Sequence, residues 1–228
     1  MLFRSLVSQL NNIERGERVI VVIDSVGNLA SKKELEDALN EKSVADMSRA
    51  KALKGLFRMI TPYLTMKDVP LIAVNHTYME IGMFPKAVVS GGTGIYYSAD
   101  TIWILGRQQD KDGTEIQGYH FVINVEKSRY VREKSKIPVT ISYEGGINRW
   151  SGLLDIAIDG GYVAKPKVGW YALVDRTTGE VEGKNYRAAD IVDNKEFWMD
   201  MFKNTDFADY IKNKYSLDNE GSLVYDDE

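Results

Sequence analysis

Residues Val19 to Lys33 read V-I-V-V-I-D-S-V-G-N-L-A-S-K-K. The first five are apolar, β-branched and without polar alternation. Such a run predicts a strand buried on both faces. Asp24 and Ser25 follow at its carboxyl end, and a small polar turn follows them. An acid in that position can hold a magnesium ion on nucleotide phosphates, or it can cap the turn after it. The magnesium reading requires a second part, a glycine-rich loop that cradles phosphates. No G-x-x-x-x-G-K-[S/T] occurs in the 228 residues. The nearest glycine cluster, Ser90-Gly91-Gly92-Thr93-Gly94, has no lysine.

The neighbouring segments extend the pattern. Leu2, Leu6, Leu10 and Ile13, with Phe3 and Val7, have helical spacing, and Gly16 ends that helix. Residues 30–43 are polar and read as a loop or short helix. Val44 to Ile60 reads as a second helix, with Pro62 just beyond it. Leu53, Leu56, Phe57 and Ile60 share one face, and Lys51, Lys54 and Arg58 form a solvated stripe opposite. Val69 to Asn75 is another apolar strand. Solid apolar strands alternating with helices imply an α/β fold with a mostly parallel sheet. Ligands of such sheets bind at the strands' carboxyl ends. Asp24, His76 and the glycine-rich segment 77–94, read as a long loop, all fall on that edge.

Further on, Thr101 to Leu105, Tyr119 to Val125 and Ile137 to Tyr143 read as strands. Gln108 to Gly118 reads as a turn between two of them. From Ser151 the composition shifts to short helices, a hairpin in W-Y-A-L-V-D-R-T-T-G-E-V-E-G and an aromatic helix around E-F-W-M-D-M-F. A domain boundary is placed at about Trp150, giving domains 1–150 and 151–228. The net charge of −4, from 29 basic and 33 acidic residues, confines any nucleic-acid surface to local patches. The absence of cysteine rules out disulfides and thiolate metal sites. The apolar runs are far shorter than the roughly 18 residues a membrane span needs, so no membrane partner is expected.

Five stretches then carry a resemblance. They are V-I-V-V-I-D-S-V-G-N-L-A-S-K-K with its continuation to Lys51, L-I-A-V-N-H-T-Y-M-E-I-G-M-F, G-G-T-G-I-Y-Y-S-A-D-T-I-W-I-L-G-R-Q, N-V-E-K-S-R-Y-V-R-E-K-S-K, and S-G-L-L-D-I-A-I-D-G-G-Y-V-A-K-P-K-V-G-W-Y. In this order they resemble the UvsX-type recombinases of tailed phages, members of the RecA family. The resemblance runs from about Leu6 to about Tyr210. It implies a partial RecA-like ATPase core followed by a small α+β C-terminal domain. The family's phosphate loop, catalytic glutamate and an adenine-contacting segment have no counterpart in these residues.

The resemblance also implies roles. Asp24, with Ser25 beside it, would hold Mg2+ on ATP through water. His76 would sense the γ-phosphate and order the loop that follows. That loop, with Met79, Ile81, Gly82, Phe84, Gly91 and Gly92, would be the second DNA-binding loop, wedging apolar side chains between base triplets. Residues from about Ser31 to Ser43 would be the first DNA loop, and Arg49 a phosphate contact after it. Lys127 and Arg129 would reach a neighbouring protomer's ATP, like an arginine finger. Tyr143 would pack on the adenine. Without the resemblance, a surface loop, a structural histidine and a surface basic cluster account for most of these residues.

The function so implied is part of an ATP-dependent DNA strand-exchange recombinase. The complete protein would form homo-oligomeric filaments on single-stranded DNA, pair that strand with double-stranded DNA, and work in the bacterial host cytoplasm. A complementing upstream half is an expected partner, and this chain alone is expected to hydrolyse ATP poorly or not at all. The alternative is a non-catalytic fragment that binds single-stranded DNA or caps a filament.

Overall fold

The computed structural model describes residues 2–31, 34, 36, 39, 40, 48–83, 85, 87–112 and 114–217. Residues 1–100 and 101–228 form two compact units.

The first unit opens with helix α1 (Leu2–Asn12) and strand β1 (Val21–Ile23). A single 3-10 turn (Val26–Asn28) follows β1. Helix α2 (Ser48–Lys67) leads into β2 (Leu71–Ala73), which pairs in parallel with β1, Val22 opposite Ile72. Next come a hairpin of β3 (Thr77–Met79) and β4 (Ala87–Val89), and helix α3 (Thr93–Ser98). The predicted face of α2 is the core: Leu53, Leu56, Phe57 and Ile60 are buried with Leu10, Val26, Val69 and Ile95. Lys51, Lys54 and Arg58 are exposed, as their spacing predicts.

Two expectations are corrected here. Val19, Val21 and Ile23 pack on the core, but Ile20 and Val22 are 54% and 59% exposed. The run is therefore covered on one face, because β1 pairs only with β2 among the described residues and α1 and α2 supply apolar cover on one side. Helix α2 also does not stop before Pro62 but carries it internally. Tyr63 and Leu64 pack on the core beyond the proline, and that burial offsets the lost helical bond.

The second unit begins with an antiparallel sheet in the order β5-β6-β7-β8. Its strands are β5 (Thr101–Asp112), β6 (Glu115–Ser128), β7 (Lys136–Ser142) and β8 (Gly146–Ile147). The segment expected as a turn, Gln108 to Gly118, is mostly ladder: Gln108 pairs with His120 and Asp112 with Glu115. The ladder thus continues to the Asp112–Glu115 pair, and the reversal does not span eleven residues. Within the segment expected as a long loop, Thr77–Met79 and Ala87–Val89 pair as a hairpin and Thr93 opens a helix. Parallel pairing is confined to β1–β2 among the described strands.

After the sheet come α4 (Leu153–Asp159), β9 (Val163–Lys167), β10 (Trp170–Leu173), β11 (Tyr186–Arg187), α5 (Ala188–Val192), α6 (Lys195–Asn204) and α7 (Phe207–Tyr215). The expected hairpin forms, with a bridge from Val174 to Val181. A second core of Ala157, Tyr162, Val163, Ile191, Trp198, Met201 and Phe207 lies under these elements, and no residue of it precedes Trp150. No helix among the described residues is long and apolar enough to cross a membrane.

Candidate functional site

The carboxyl ends of β1 and β2 are tied together before they diverge. Val74 N–H donates to Ile23 O at 2.9 Å, and Val26 N–H to Val74 O at 2.8 Å. These bonds bring Asp24-Ser25 beside Asn75-His76. Asp24 is exposed, whereas Ser25 is buried, and its Oγ has no hydrogen-bond partner among the described residues. A buried hydroxyl left unpaired is unfavourable, and it marks a place where a ligand can complete the bonding. Behind the turn, Arg49 Nη2 donates to the carbonyls of Val26 and Gly27. That contact accounts for a cation near the apolar side of α2: Arg49 holds the turn after Asp24.

His76 lies over the same turn. A Cβ on Gly27 would overlap the imidazole, so glycine there is what lets the ring approach. The backbone around His76 is fixed from both sides. Asn75 Oδ1 accepts from His76 N–H at 2.9 Å, Asn75 Nδ2 donates to Ser90 O at 2.7 Å, and Ser90 N–H donates to His76 O at 2.9 Å. These bonds join His76 to the base of the β3–β4 hairpin.

At the other end of the hairpin, Met79 and Met83 are well exposed and Ile81 is fully so. A Cβ on Gly82 would meet nothing. Phe84 lies outside the described residues, as does most of the segment 31–43. Within that segment Glu34 N–H donates to Ser31 Oγ and Ser31 N–H to the Glu34 carboxylate, a capping box. The two glycines of the predicted loop have packing reasons of their own. Gly91 and Gly92 both have positive φ, and a Cβ on Gly91 would press on Ile95 and Leu53. They let the chain turn tightly against α2 on the way into α3.

The remaining predicted residues lie in the second unit. Lys127 is half-buried on β6, opposite Ile102. Arg129 lies one residue past the strand, in a turn where Ser128 Oγ accepts from the Tyr130 and Val131 N–H groups at 3.1 Å each. Strand alternation therefore does not set the direction of both cations. Tyr143 is exposed at the end of β7 and meets Tyr119 edge-on at 5.9 Å. Its hydroxyl is held above the usual tyrosine range, first by the hydrogen bond with Tyr119.

The sequence reading missed one cluster. In the sheet β9–β10–β11, Trp170 stands opposite Lys167 on one side and Arg187 on the other. The Arg187 guanidinium lies 4.0 Å from the Trp170 ring, Lys184 covers Tyr186 at 4.9 Å, and Lys165 is 5.9 Å from Tyr171. Interleaved cations and aromatics in K-P-K-V-G-W-Y and K-N-Y-R were the available signal, but the register joining residues 167, 170 and 187 was not.

Comparison with known proteins gives two family matches. Residues 7–148 match the RecA N-terminal domain. The chain belongs to the RecA family. Residues 150–211 match the C-terminal domain of the bacteriophage T4 recombination and repair protein. The recombination and repair protein of Enterobacteria phage T4 is 56% identical over 216 residues, covering 93% of this chain and 55% of that protein. The RecA protein of Tropheryma whipplei (strain Twist) is 27% identical over 200 residues, covering 83% of this chain and 45% of that one. The RecA protein of Nocardioides sp. is 26% identical over 187 residues, with 81% and 52% covered. The chain thus spans about half the length of the curated relatives it matches. Its fold is the RecA-like α/β core followed by a small C-terminal domain.

Proposed function

We propose that this chain is part of an ATP-dependent DNA strand-exchange recombinase that forms filaments on single-stranded DNA and serves recombination, repair and recombination-dependent replication. The observation that carries the reading is the β1–β2 edge. There an exposed carboxylate, an unpaired buried hydroxyl and a histidine meet at the root of an apolar-tipped hairpin. Residues 1–150 form the ATPase and DNA-binding part in this reading, and residues 151–228 the C-terminal domain. The host cytoplasm is its place of work.

The donor set suits a magnesium nucleotide. Asp24 would supply a hard oxygen, and Ser25 Oγ would gain its missing hydrogen-bond partner there. Mg2+ held there would supply neutralisation of phosphate charge. His76 would sense the terminal phosphate and transmit its position through Asn75 and Ser90 to the hairpin. Lys127 and Arg129 would serve a neighbouring protomer's ATP in the filament, and Tyr143 the adenine. Met79, Ile81, Gly82 and Phe84 would engage single-stranded DNA by stacking and wedging, with sequence tolerance. Gly91 and Gly92 would close that loop, and Arg49 would hold the turn that follows Asp24. The Lys167–Trp170–Arg187 row suits the phosphates of double-stranded DNA. The exposed Ile20, Val22, Ile72 and Val74 support a complementing upstream half that covers them.

The test is fluorescence anisotropy of a labelled single-stranded oligonucleotide titrated with this chain, with and without ATP and magnesium, at two salt concentrations. Binding that tightens with ATP supports the full reading. Weak, salt-sensitive binding indifferent to ATP supports the non-catalytic DNA-binding or filament-capping fragment instead. Absence of binding under every condition would sink both.

A further inference from the structure

The turn that carries Arg129 is fastened at two sides within the second unit. On one side β6 holds it: Lys134 N–H donates to Val125 O at 2.7 Å, and Val125 N–H to Ser135 O at 2.9 Å. On the other side the end of α7 holds it. Arg132 N–H donates to Tyr215 O at 2.8 Å, and Arg132 Nε donates to Ser216 O at 3.2 Å. Val131 and Ser216 face each other in an antiparallel bridge.

The chemistry of this contact is that of a helix terminus. The last carbonyls of α7 have no partner within the helix and carry the negative end of its dipole. Arg132 meets both needs, with a backbone donor for one carbonyl and a guanidinium for the next. Helix α7 is itself anchored. Phe207 is fully buried, Tyr210 OH donates to Asp159 at 2.8 Å, and Lys214 pairs with the same carboxylate. The position of the turn is therefore inherited from the core built on Tyr162, Trp198 and Phe207.

We propose that the end of α7 is a clasp that sets the turn carrying Arg129, with Arg132 as the positioning residue. This rests on the reading that Lys127 and Arg129 serve a neighbour's nucleotide. Through the clasp, the C-terminal core governs how Arg129 is presented beside Lys127, which the β5–β6 ladder holds. Arg132 touches no nucleotide in this scheme; it acts through the turn.

The test uses the full chain mixed with the phage T4 recombination and repair protein on single-stranded DNA. It reads kcat and KM for ATP, with this chain expected to stimulate kcat by lending Lys127 and Arg129 to its neighbour, and, separately, backbone hydrogen exchange across residues 129–132. Arg132→Ala is expected to speed exchange there and to lower the stimulated kcat about three- to tenfold, the worth of a lost hydrogen bond, with KM unchanged. The chain has no cysteine, so a clasp can be rebuilt covalently. Val131→Cys with Ser216→Cys, at facing positions of an antiparallel bridge, falls in the range a disulfide spans. Added to Arg132→Ala, the oxidised pair should restore kcat, and reductant should abolish the restoration.

Lys127→Ala separates the two layers. If it abolishes stimulation while Arg132→Ala changes neither exchange nor kcat, the clasp is refuted and the finger reading stands. Faster exchange with unchanged kcat refutes the positioning role in the same way, as does a lost kcat that the closed disulfide does not restore. If Lys127→Ala has no effect, the finger reading fails and takes the clasp's function with it.

Discussion

The two cores of this protein are built on different plans. The first is aliphatic apart from Phe57 and, at its edge, Tyr63, and it lies between α1, α2 and one face of a two-stranded parallel sheet. The other face keeps Val22 and Ile72 more than half exposed. The second core is aromatic and closed. Tyr162, Trp198 and Phe207 pack ring on ring, with Tyr162 and Phe207 4.9 Å apart, and Trp198 Nε1–H donates to Ile191 O at 2.9 Å. Its margin is bolted by Tyr162 to Asp206 and by Tyr210 to Asp159. The second core is closed by its own rings and hydrogen bonds, whereas the first leaves one face of its sheet exposed.

The largest effect expected from breaking this contrast is at Trp198. The side chain is fully buried and its N–H is satisfied. Trp198→Ala should remove about 3–5 kcal/mol, the range for deleting a large buried aromatic. The measurement is urea unfolding followed by near-ultraviolet circular dichroism. The midpoint should fall, and exchange of the Tyr130–Arg132 amides should rise with it, because α7 rests on this core. A midpoint shift equivalent to under about 1 kcal/mol would mean that the aromatic cluster is not what holds the second unit.

A smaller effect in stability, but a sharper one in function, is expected at the open edge. Gly27→Ala would push the His76 ring out of its place over the turn. Because His76 is exposed and can rotate, the folding cost should stay near 1 kcal/mol, that of an off-rotamer side chain. ATP-dependent tightening on single-stranded DNA should nevertheless weaken several-fold, while salt-driven, ATP-independent binding is retained. Equal loss of both kinds of binding would sever the proposed link from His76 to the hairpin.

Much of the fold was legible where one element decides its own fate. The face of α2 followed from helical spacing, because four apolar side chains recur at 53, 56, 57 and 60 whatever they pack against. Asp24 at a strand's end was legible for the same reason. What failed depended on partners distant in the chain. Pro62 looks like a stop until Tyr63 and Leu64 are seen to be packed. Gln108 to Gly118 looks like a turn because its polar residues hide the cross-strand ladder from Gln108 to His120. The unpaired Ser25 hydroxyl, the Arg49 brace and the Lys167–Trp170–Arg187 row needed coordinates, since each joins residues that no local period connects.

The finest test of the contrast is in the alkaline limb of stability. The Tyr162 hydroxyl is pushed up to about 12, first by burial and then by its hydrogen bond to Asp206. In the unfolded chain it titrates near 10, the ordinary value for tyrosine. Around pH 11 the folded state therefore keeps a proton that the unfolded state has released, and stability must fall as pH rises. The contribution is fully present below pH 10 and is lost as pH rises through about 12. Tyr162→Phe deletes the Asp206 bond, for about 1 kcal/mol at neutral pH, and should flatten the melting temperature between pH 10 and 12. Some slope should remain, because burial and Asp159 also raise Tyr210. An unchanged alkaline slope would mean that the Tyr162 proton is not held by the fold. The margin of the second core would then be held by its rings and by the Tyr210–Asp159 bond, without a bolt at Tyr162.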